Sequence, residues 1–514
     1  MQNETMSGGD TFDLLIVGGG INGVGIARDA AGRGLRVLLV EKMGLAHYTS
    51  SSTTKLVHGG LRYLEYFKFR LVRESLNERE HLLSIAPHLV SRLRFVLPYK
   101  SWLRPAWAVR LGLFLYDRLG SRSTLEPSAA VRFAKSPYGQ PLRHSIRRGF
   151  AYSDCTVDDS RLVVLTAKDA AERGAAVRVG HRLVGATRER DLWRAEIESD
   201  RGQPAYAVNA RIIVNAAGPW ISNVLSKCLG TASRQSVRLV KGSHIVVRRL
   251  YEGDHAYALQ HTDRRLVFVI PYRDEFTLIG TTDVPWHGDP GPATISPAET
   301  EYLCKTVNRY FERQIGPADV VWSYAGIRAL WDDEASNASA VTRDYVLDVD
   351  AAEDRAPVLS VFGGKITTYR RLAELALDKL ESHLGPLAPA WTLSAPLPGG
   401  DVPGGDMKAF AAEVGRRWPF LDEPQARRLA HAYGTRTARL LEGVHSREAM
   451  GAPFGGGMTR VEVDYLAREE WARSADDIYW RHSKTGLHAS PADQQNLTAY
   501  LQSIDRPQPA LATS

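Results

Sequence analysis

The sequence predicts an α/β protein: a parallel-sheet domain of βαβ type, an antiparallel-sheet domain inserted into it, and a helical domain toward the C-terminal end. Three observations predict this. Near the start, FDLLIVGGGINGVGIARDAAGRGLRVLLVEK, Phe12–Lys42, runs through strand, glycine cluster, helical pattern and second strand. In the middle, KGSHIVV (Lys241–Val247) and RRLVFVIPYRDEFTLIGTTD (Arg264–Asp283) alternate as antiparallel strands do, with Arg273-Asp274-Glu275 as the hairpin turn. From Gly385, GPLAPAWTLSAPLPGGDVPGGD reads as a linker, and a charged helical pattern follows from Lys408 to about Ile504. The boundaries expected are a tail over 1–12, the βαβ domain over 13–385, a linker over 386–406 and the helical domain over 407–514. The insert falls at roughly 65–150 and 235–345.

Each element follows from its residues. Leu14–Val17 is a buried-type strand, and Gly18, Gly20 and Gly23 form GxGxxG. The first glycine permits the tight turn, the second lets the backbone approach a pyrophosphate, and the third lets the helix pack on the strand. The helix from about Asn22 to Ala31, entered through Ile21, aims its N-terminal N–H groups at that pyrophosphate. Arg36–Val40 is the second strand, and Glu41, followed by Lys42, stands at its tip to accept ribose hydroxyls. Glu41 would repel a 2′-phosphate, which speaks against NADP and leaves FAD and NAD.

The next stretch bears on that choice. TSSSTTKLVHGGLRYLE, Thr49–Glu65, presents Thr49, Ser50 and Ser51, then Lys55, His58, Gly59, Gly60, Arg62 and Tyr63. An NAD domain would continue with another helix–strand repeat. A flavoprotein closes such a hydroxyl-rich loop over the diphosphate. Further on, GAAVRVGHRLVGATRE (Gly174–Glu189), including Val177, reads as a strand entering a hairpin. ARIIVNAAGPW (Ala210–Trp220) reads as a strand ending in Ala217, Gly218 and Trp220, and both segments would lie beside the adenosine half of a dinucleotide. LSVFGGKITTYRRLAELALDKL forms a second strand-to-helix turn at Gly363-Gly364, with Lys365, Ile366 and Thr367 in the first helical turn. Such a helix N-terminus suits the electron-rich pyrimidine edge of a flavin. Two distant glycine turns fit one extended FAD better than NAD.

Composition narrows the classes. At 514 residues and 44% hydrophobic content the chain has ample interior for two or three domains. It holds no apolar run long enough to span a bilayer, and its polar start, MQNETMSGGD, lacks a secretory h-region. Three scattered cysteines, without CxxC or metal-ligand spacing, suit a reducing compartment and point to no metal site. The net charge of +7 leaves nucleic acid, an anionic membrane surface and anionic substrates open as partners. KSWLRPAWAVRLGLFLYDRLGSR, Lys100–Arg122, mixes Trp, Leu and Phe with arginines, as an interfacial helix does; an ordinary amphipathic helix packed on the domain is the competing reading.

The blocks GGGINGVGIARDAAGRGL, TKLVHGGLRYLE, FRLVRESLNERE, RGFAYSDCTVDDSRLV, KGSHIVV, VFVIPYRDEFTLIGTTD and SVFGGKITTYR together resemble the aerobic glycerol-3-phosphate dehydrogenases. These are glutathione-reductase-like flavoproteins of respiration, and the resemblance runs from about Asp13 to Leu501. It implies FAD, oxidation of sn-glycerol 3-phosphate to dihydroxyacetone phosphate, and electrons passed to a quinone. It also implies peripheral attachment to the inner face of the cytoplasmic membrane, with a homodimer as one option and no nucleic-acid partner. One block departs: GIRAL, Gly326–Leu330, has Ala329 where the family has proline.

Oxidising an alcohol beside a phosphate requires a cationic clamp, a proton acceptor and a hydride acceptor close to C2. Arg62, Arg328, Arg343 and Lys365 are the candidate cations, with Tyr63 beside them. His244 is the candidate base because an imidazole titrates near neutral pH, and His58 competes with it. Base and clamp are not uniquely assigned. Three rivals remain: an oxidase passing electrons to oxygen, a flavin-dependent tRNA-modifying enzyme, and a non-catalytic flavin-binding scaffold. The dispersed basic residues disfavour the tRNA enzyme.

Overall fold

In the computed structural model, residues 11–504 are described apart from 101–104, 122, 264, 333–343 and 352–354. The first domain is built around a parallel sheet. Its centre is β1 (Thr11–Val17), flanked by β2 (Val37–Glu41) and by the strand Tyr206–Asn215, all running parallel. Leu14, Leu15 and Ile16 are wholly buried, as expected of a strand covered on both faces: Leu14 and Ile16 pack among the helices, and Leu15 against Trp193, Ala195 and Ile197 of an antiparallel strand. Helix α1 (Ile21–Gly32) connects β1 to β2 and packs against the helices Asp159–Glu172 and Tyr369–Leu384. That closeness needs glycine: a Cβ on Gly25 would lie 2.8 Å from the Tyr369 ring. Ala176–Val179 extends the sheet beside β2, and Val358–Gly363 extends it beside Tyr206–Asn215. The hairpin lies one strand later than the sequence suggested. His181–Arg188 pairs antiparallel with Trp193–Ser199, whereas Ala176–Val179 pairs in parallel with β2.

The second sheet is mixed and mostly antiparallel. Toward one end Val237–Arg248 pairs with Phe276–Gly280 and Val320–Trp331, and toward the other Val90–Pro98 pairs with Arg148–Val157. Arg273 and Asp274 both take positive φ (48° and 58°), so the hairpin turn falls where the sequence places it. The strand pair Leu56–Val57 and Arg148–Val157 begins before and ends after the first expected insert, whereas Tyr345–Asp350 belongs to the first sheet. The chain therefore enters the second sheet directly from the hydroxyl-rich loop.

From Met407 onward, helices including Glu423–Tyr433, Arg460–Glu469 and Pro491–Ser503 surround their own core of Val414, Leu429, Leu466 and Leu497. This domain docks on Asp159–Glu172 through buried charge. Arg161 pairs with Glu470 and donates to the Ala432 carbonyl, while Lys168 bonds Glu469 at 2.6 Å. Arg161 and Glu470 are both fully buried, so removing one leaves the other's charge uncompensated. Arg161→Ala is expected to lower stability by about 3–5 kcal/mol, read as a lower urea midpoint.

Candidate active site

A cavity of about 720 Å³ runs from the tip of β2, past the N-terminus of α1, to the second sheet. At its first end the buried Glu41 carboxylate accepts from Gly19 N (2.7 Å) and Met43 N (2.9 Å). Burial raises its pKa, opposed by those two backbone bonds and by Lys42. The Lys42 ammonium lies 3.5 Å from the Trp220 ring centroid and 5.0 Å from that of Tyr48. Arg182, Leu183 and Val184 line this end. Val177, expected here, is instead buried in its strand, because the turn at Gly180 carries the chain to the cavity only afterwards.

At the middle, three glycines act differently. Gly18 has φ +117°, and a Cβ there would stand 2.6 Å from the Ala216 carbonyl oxygen. A Cβ on Gly23 would stand 2.0 Å from the Gly18 carbonyl oxygen, so Gly23 packs the helix on the strand and does not line the cavity. Gly20 is the N-cap residue with φ −83°, and its Cβ would meet only the Ser50 hydroxyl at 3.2 Å. That hydroxyl accepts from Ile21 N (3.1 Å), at the positive end of α1. Asn22 Nδ2 donates to the Gly363 carbonyl, while its buried Oδ1 has no hydrogen-bond partner among the described residues. Gly364, at φ +105°, faces it.

The loop Thr49–Gly60 presents Thr49, Ser50, Ser52, Thr53, Thr54 and His58 to the cavity. Ser51 and Lys55 hold it from behind: Lys55 Nζ donates to Ser51 O (2.5 Å) and Asp159 (2.7 Å), and burial lowers its pKa to about 8. Gly59 and Gly60 shape the turn, since a Cβ on either would collide with Leu76 or Tyr63. Thr367 accepts from His58 N at 3.3 Å. Neither Arg62 nor Tyr63 lines the cavity; Arg62 donates instead to the Tyr66 hydroxyl at 3.4 Å.

Arg328 lines the cavity from Val320–Trp331. It is oriented by an ion pair with Asp283 and a 2.6 Å bond to Thr281 Oγ1. Lys365 enters from the other side, its ammonium on the His58 carbonyl (2.5 Å) and Ser75 Oγ (3.3 Å). His244 is wholly buried and stacked on Tyr324 at 4.7 Å; it does not line the cavity, because Thr54 stands at its Nε2 (3.0 Å). Burial, then the charges of Arg328 and Lys55, hold the His244 pKa well below the usual imidazole value. Arg343 lies outside the described residues. Sequence reasoning passed over Thr54, whose only signal was its place in the hydroxyl run.

Residues 13–370 match the family described as FAD dependent oxidoreductase, and 390–504 match the C-terminal domain of alpha-glycerophosphate oxidase. A glycerol-3-phosphate dehydrogenase from Pseudomonas aeruginosa is 53% identical over 96% of both chains. The chain belongs to the FAD-dependent glycerol-3-phosphate dehydrogenase family. A D-erythritol 1-phosphate dehydrogenase from Brucella abortus is 46% identical over 94% of this chain and 96% of its own. A solved glycerol-3-phosphate dehydrogenase from Bacillus halodurans, complexed with FAD, superposes with a TM-score of 0.74 over 96% of this chain and 94% of that one. At 24% identity it shows the same fold.

The family's cofactor is FAD, and the residues present fit it. Gly20 leaves open the volume that its own side chain would fill, the start of α1 offers N–H donors, and Asn22 Oδ1 is an acceptor awaiting a partner. Gly20→Val is therefore expected to fold, since a Cβ there meets only the Ser50 hydroxyl, yet to retain less than about a tenth of the flavin. Absorbance of the purified variant beside its circular dichroism checks this; a folded variant with full flavin would refute the pyrophosphate assignment.

Proposed function

We propose that this protein oxidises sn-glycerol 3-phosphate to dihydroxyacetone phosphate and passes the electrons to a membrane quinone. The observation that carries this reading is the convergence of Arg328 and Lys365 on the cavity that also receives the glycine turn of α1. A phosphate-bearing alcohol needs cations held beside the cofactor, and both come from strand or helix ends with fixed orientation. Bound FAD would accept the hydride from C2. Arg328, steered by Asp283 and Thr281, would stabilise the oxygen on C2 as it gains negative charge. Lys365 would hold the phosphate, with Arg343 proposed alongside it. The names of the relatives support a polyol phosphate substrate. The Brucella relative favours a second reading, a four-carbon polyol phosphate, and the ratio of kcat/KM for the two substrates separates them. Anaerobic addition of glycerol 3-phosphate should bleach the flavin, and quinone should restore it faster than oxygen does.

The membrane reading rests on an apolar surface. The helix Ala106–Leu119 exposes Trp107 (71%), Leu111 and Phe114, next to a turn exposing Phe67 (78%) and Phe69. No helix among the described residues is long and apolar enough to cross a membrane. The aromatic face would lie in the acyl boundary, with Arg118 beside Phe114 at 3.8 Å. Arg110, an arginine of that segment, stays exposed while donating to the Ser128 carbonyl and hydroxyl; Arg104 lies outside the described residues.

Two outcomes are expected. Arg328→Lys keeps the charge but loses the planar fork, so anaerobic flavin reduction should slow about a hundredfold, or roughly 2.7 kcal/mol of barrier. Stopped-flow traces against substrate concentration would show the loss in the limiting rate, not in affinity. Trp107→Ala with Phe114→Ala should weaken flotation with anionic vesicles more than about tenfold, because each ring contributes about 1.5–3 kcal/mol on burial. Flavin content should be unchanged.

A further inference from the structure

Resting on the proposed alcohol oxidation, the surroundings of His244 raise a question of access. Its ring is wholly buried, with Tyr324 stacked on one face at 4.7 Å and an interplanar angle of 15°. Gly280 closes in as well, since a Cβ there would stand 2.0 Å from His244 Cδ2. Nδ1 is buried without a hydrogen-bond partner among the described residues, and Nε2 lies 3.0 Å from Thr54 Oγ1. Thr54 is the residue of that pair that lines the cavity. A substrate hydroxyl in the cavity therefore meets Thr54 before it meets the imidazole. Thr54 is itself well fixed. The carbonyl of the preceding residue, Thr53, accepts from the Tyr324 hydroxyl at 2.7 Å, and Thr53 Oγ1 donates to Asp159 at 2.7 Å.

We propose that Thr54 is a catalytic residue that relays the proton of the substrate hydroxyl to His244. In this step the substrate O–H bond breaks and its proton forms a new O–H bond at Thr54 Oγ1. The proton already on Thr54 passes to His244 Nε2, forming an N–H bond. The electron pair released from the substrate O–H becomes the second C–O bond of the ketone, and the C2–H pair would leave as hydride, for which bound FAD, the family's oxidant, would supply the acceptor. A threonine hydroxyl can donate and accept at once, which suits it to a relay. The relay requires one tautomer: for Nε2 to accept, the resting ring carries its proton on Nδ1. The buried ring beside Arg328 and Lys55 is kept neutral, and so able to accept. The substrate's phosphodianion, arriving beside Arg328 and Lys365, offsets the cationic field that opposes protonation.

The test is anaerobic flavin reduction by glycerol 3-phosphate in the FAD-loaded protein. Thr54→Val keeps the shape and removes the hydroxyl; the reduction rate should fall about a hundredfold, within the range for loss of general acid–base catalysis. Flavin content and substrate affinity should stay within about threefold, as a change confined to proton transfer requires. Thr54→Ser should restore most of the rate. A second measurement needs no variant: reduction rates of the unaltered protein in mixtures of H₂O and D₂O should fall on a bowed curve, because two protons move in one step. A straight line, or Thr54→Val reducing its flavin at the unaltered rate, overturns the relay. If glycerol 3-phosphate does not bleach the unaltered protein at all, the substrate reading beneath it fails instead.

Discussion

The architecture depends on a contact that admits no side chain. Where α1 leaves β1, a Cβ on Gly23 would lie 2.0 Å from the Gly18 carbonyl oxygen, and one on Gly18 would lie 2.6 Å from that of Ala216. Helix, strand and the neighbouring strand Tyr206–Asn215 therefore meet backbone to backbone. That approach brings the first N–H groups of α1, the Glu41 carboxylate and the Gly363-Gly364 turn to one cavity. Gly20 differs from its neighbours: protein atoms barely crowd it, so its smallness serves whatever fills the cavity. One motif thus packs backbone on backbone at Gly18 and Gly23 and leaves Gly20 open toward the cavity.

The other half of the site is held by buried charge. Lys55 reaches back from the loop to Asp159, and Lys484 of the helical domain reaches the same carboxylate at 3.5 Å; all three are buried. Desolvating three charges is costly, and such a cluster stands only when its geometry is complete. Lys365 likewise donates to His58 O and Ser75. The loop that presents Thr54 and His58 is consequently braced by Asp159 on a helix of the first domain, by Lys365 at the second glycine turn and, through Asp159, by the C-terminal domain. Trp480 of that domain also stacks on Trp322 at 4.5 Å, two residues from Tyr324 on the strand behind His244.

How the functional residues divide follows from whether their work is local. Gly18, Gly20, Ile21, Asn22 and Glu41 lie within thirty or so residues of chain, so spacing alone marks them as candidates. The linker, the Arg273-Asp274 turn and the second glycine turn are legible for the same reason. Val177 was misplaced because a strand's side chains alternate, and nothing in the strand itself says which later turn reaches the cavity. Arg62 and Tyr63 stood next to a glycine pair, yet the turn at Gly60 directs Arg62 toward Tyr66. Arg110 lies in a segment with the composition of a lipid contact, and its partner Ser128 stands eighteen residues away, which composition could not name.

By itself the sequence determined the βαβ unit, the inserted, mostly antiparallel sheet and the helical C-terminal domain, because periodicity and glycine spacing are properties of short segments. Only the tertiary structure decided which polar groups face the cavity. His244 and Thr54 are separated by 190 positions and become partners because Val320–Trp331 pairs with Val237–Arg248, setting Tyr324 opposite His244, and the Tyr324 hydroxyl holds the Thr53 carbonyl. Arg328 is aimed by Asp283, 45 positions away. Side-chain direction depends on register, stacking and buried ion pairs between distant segments, and these exist only once the chain has closed on itself.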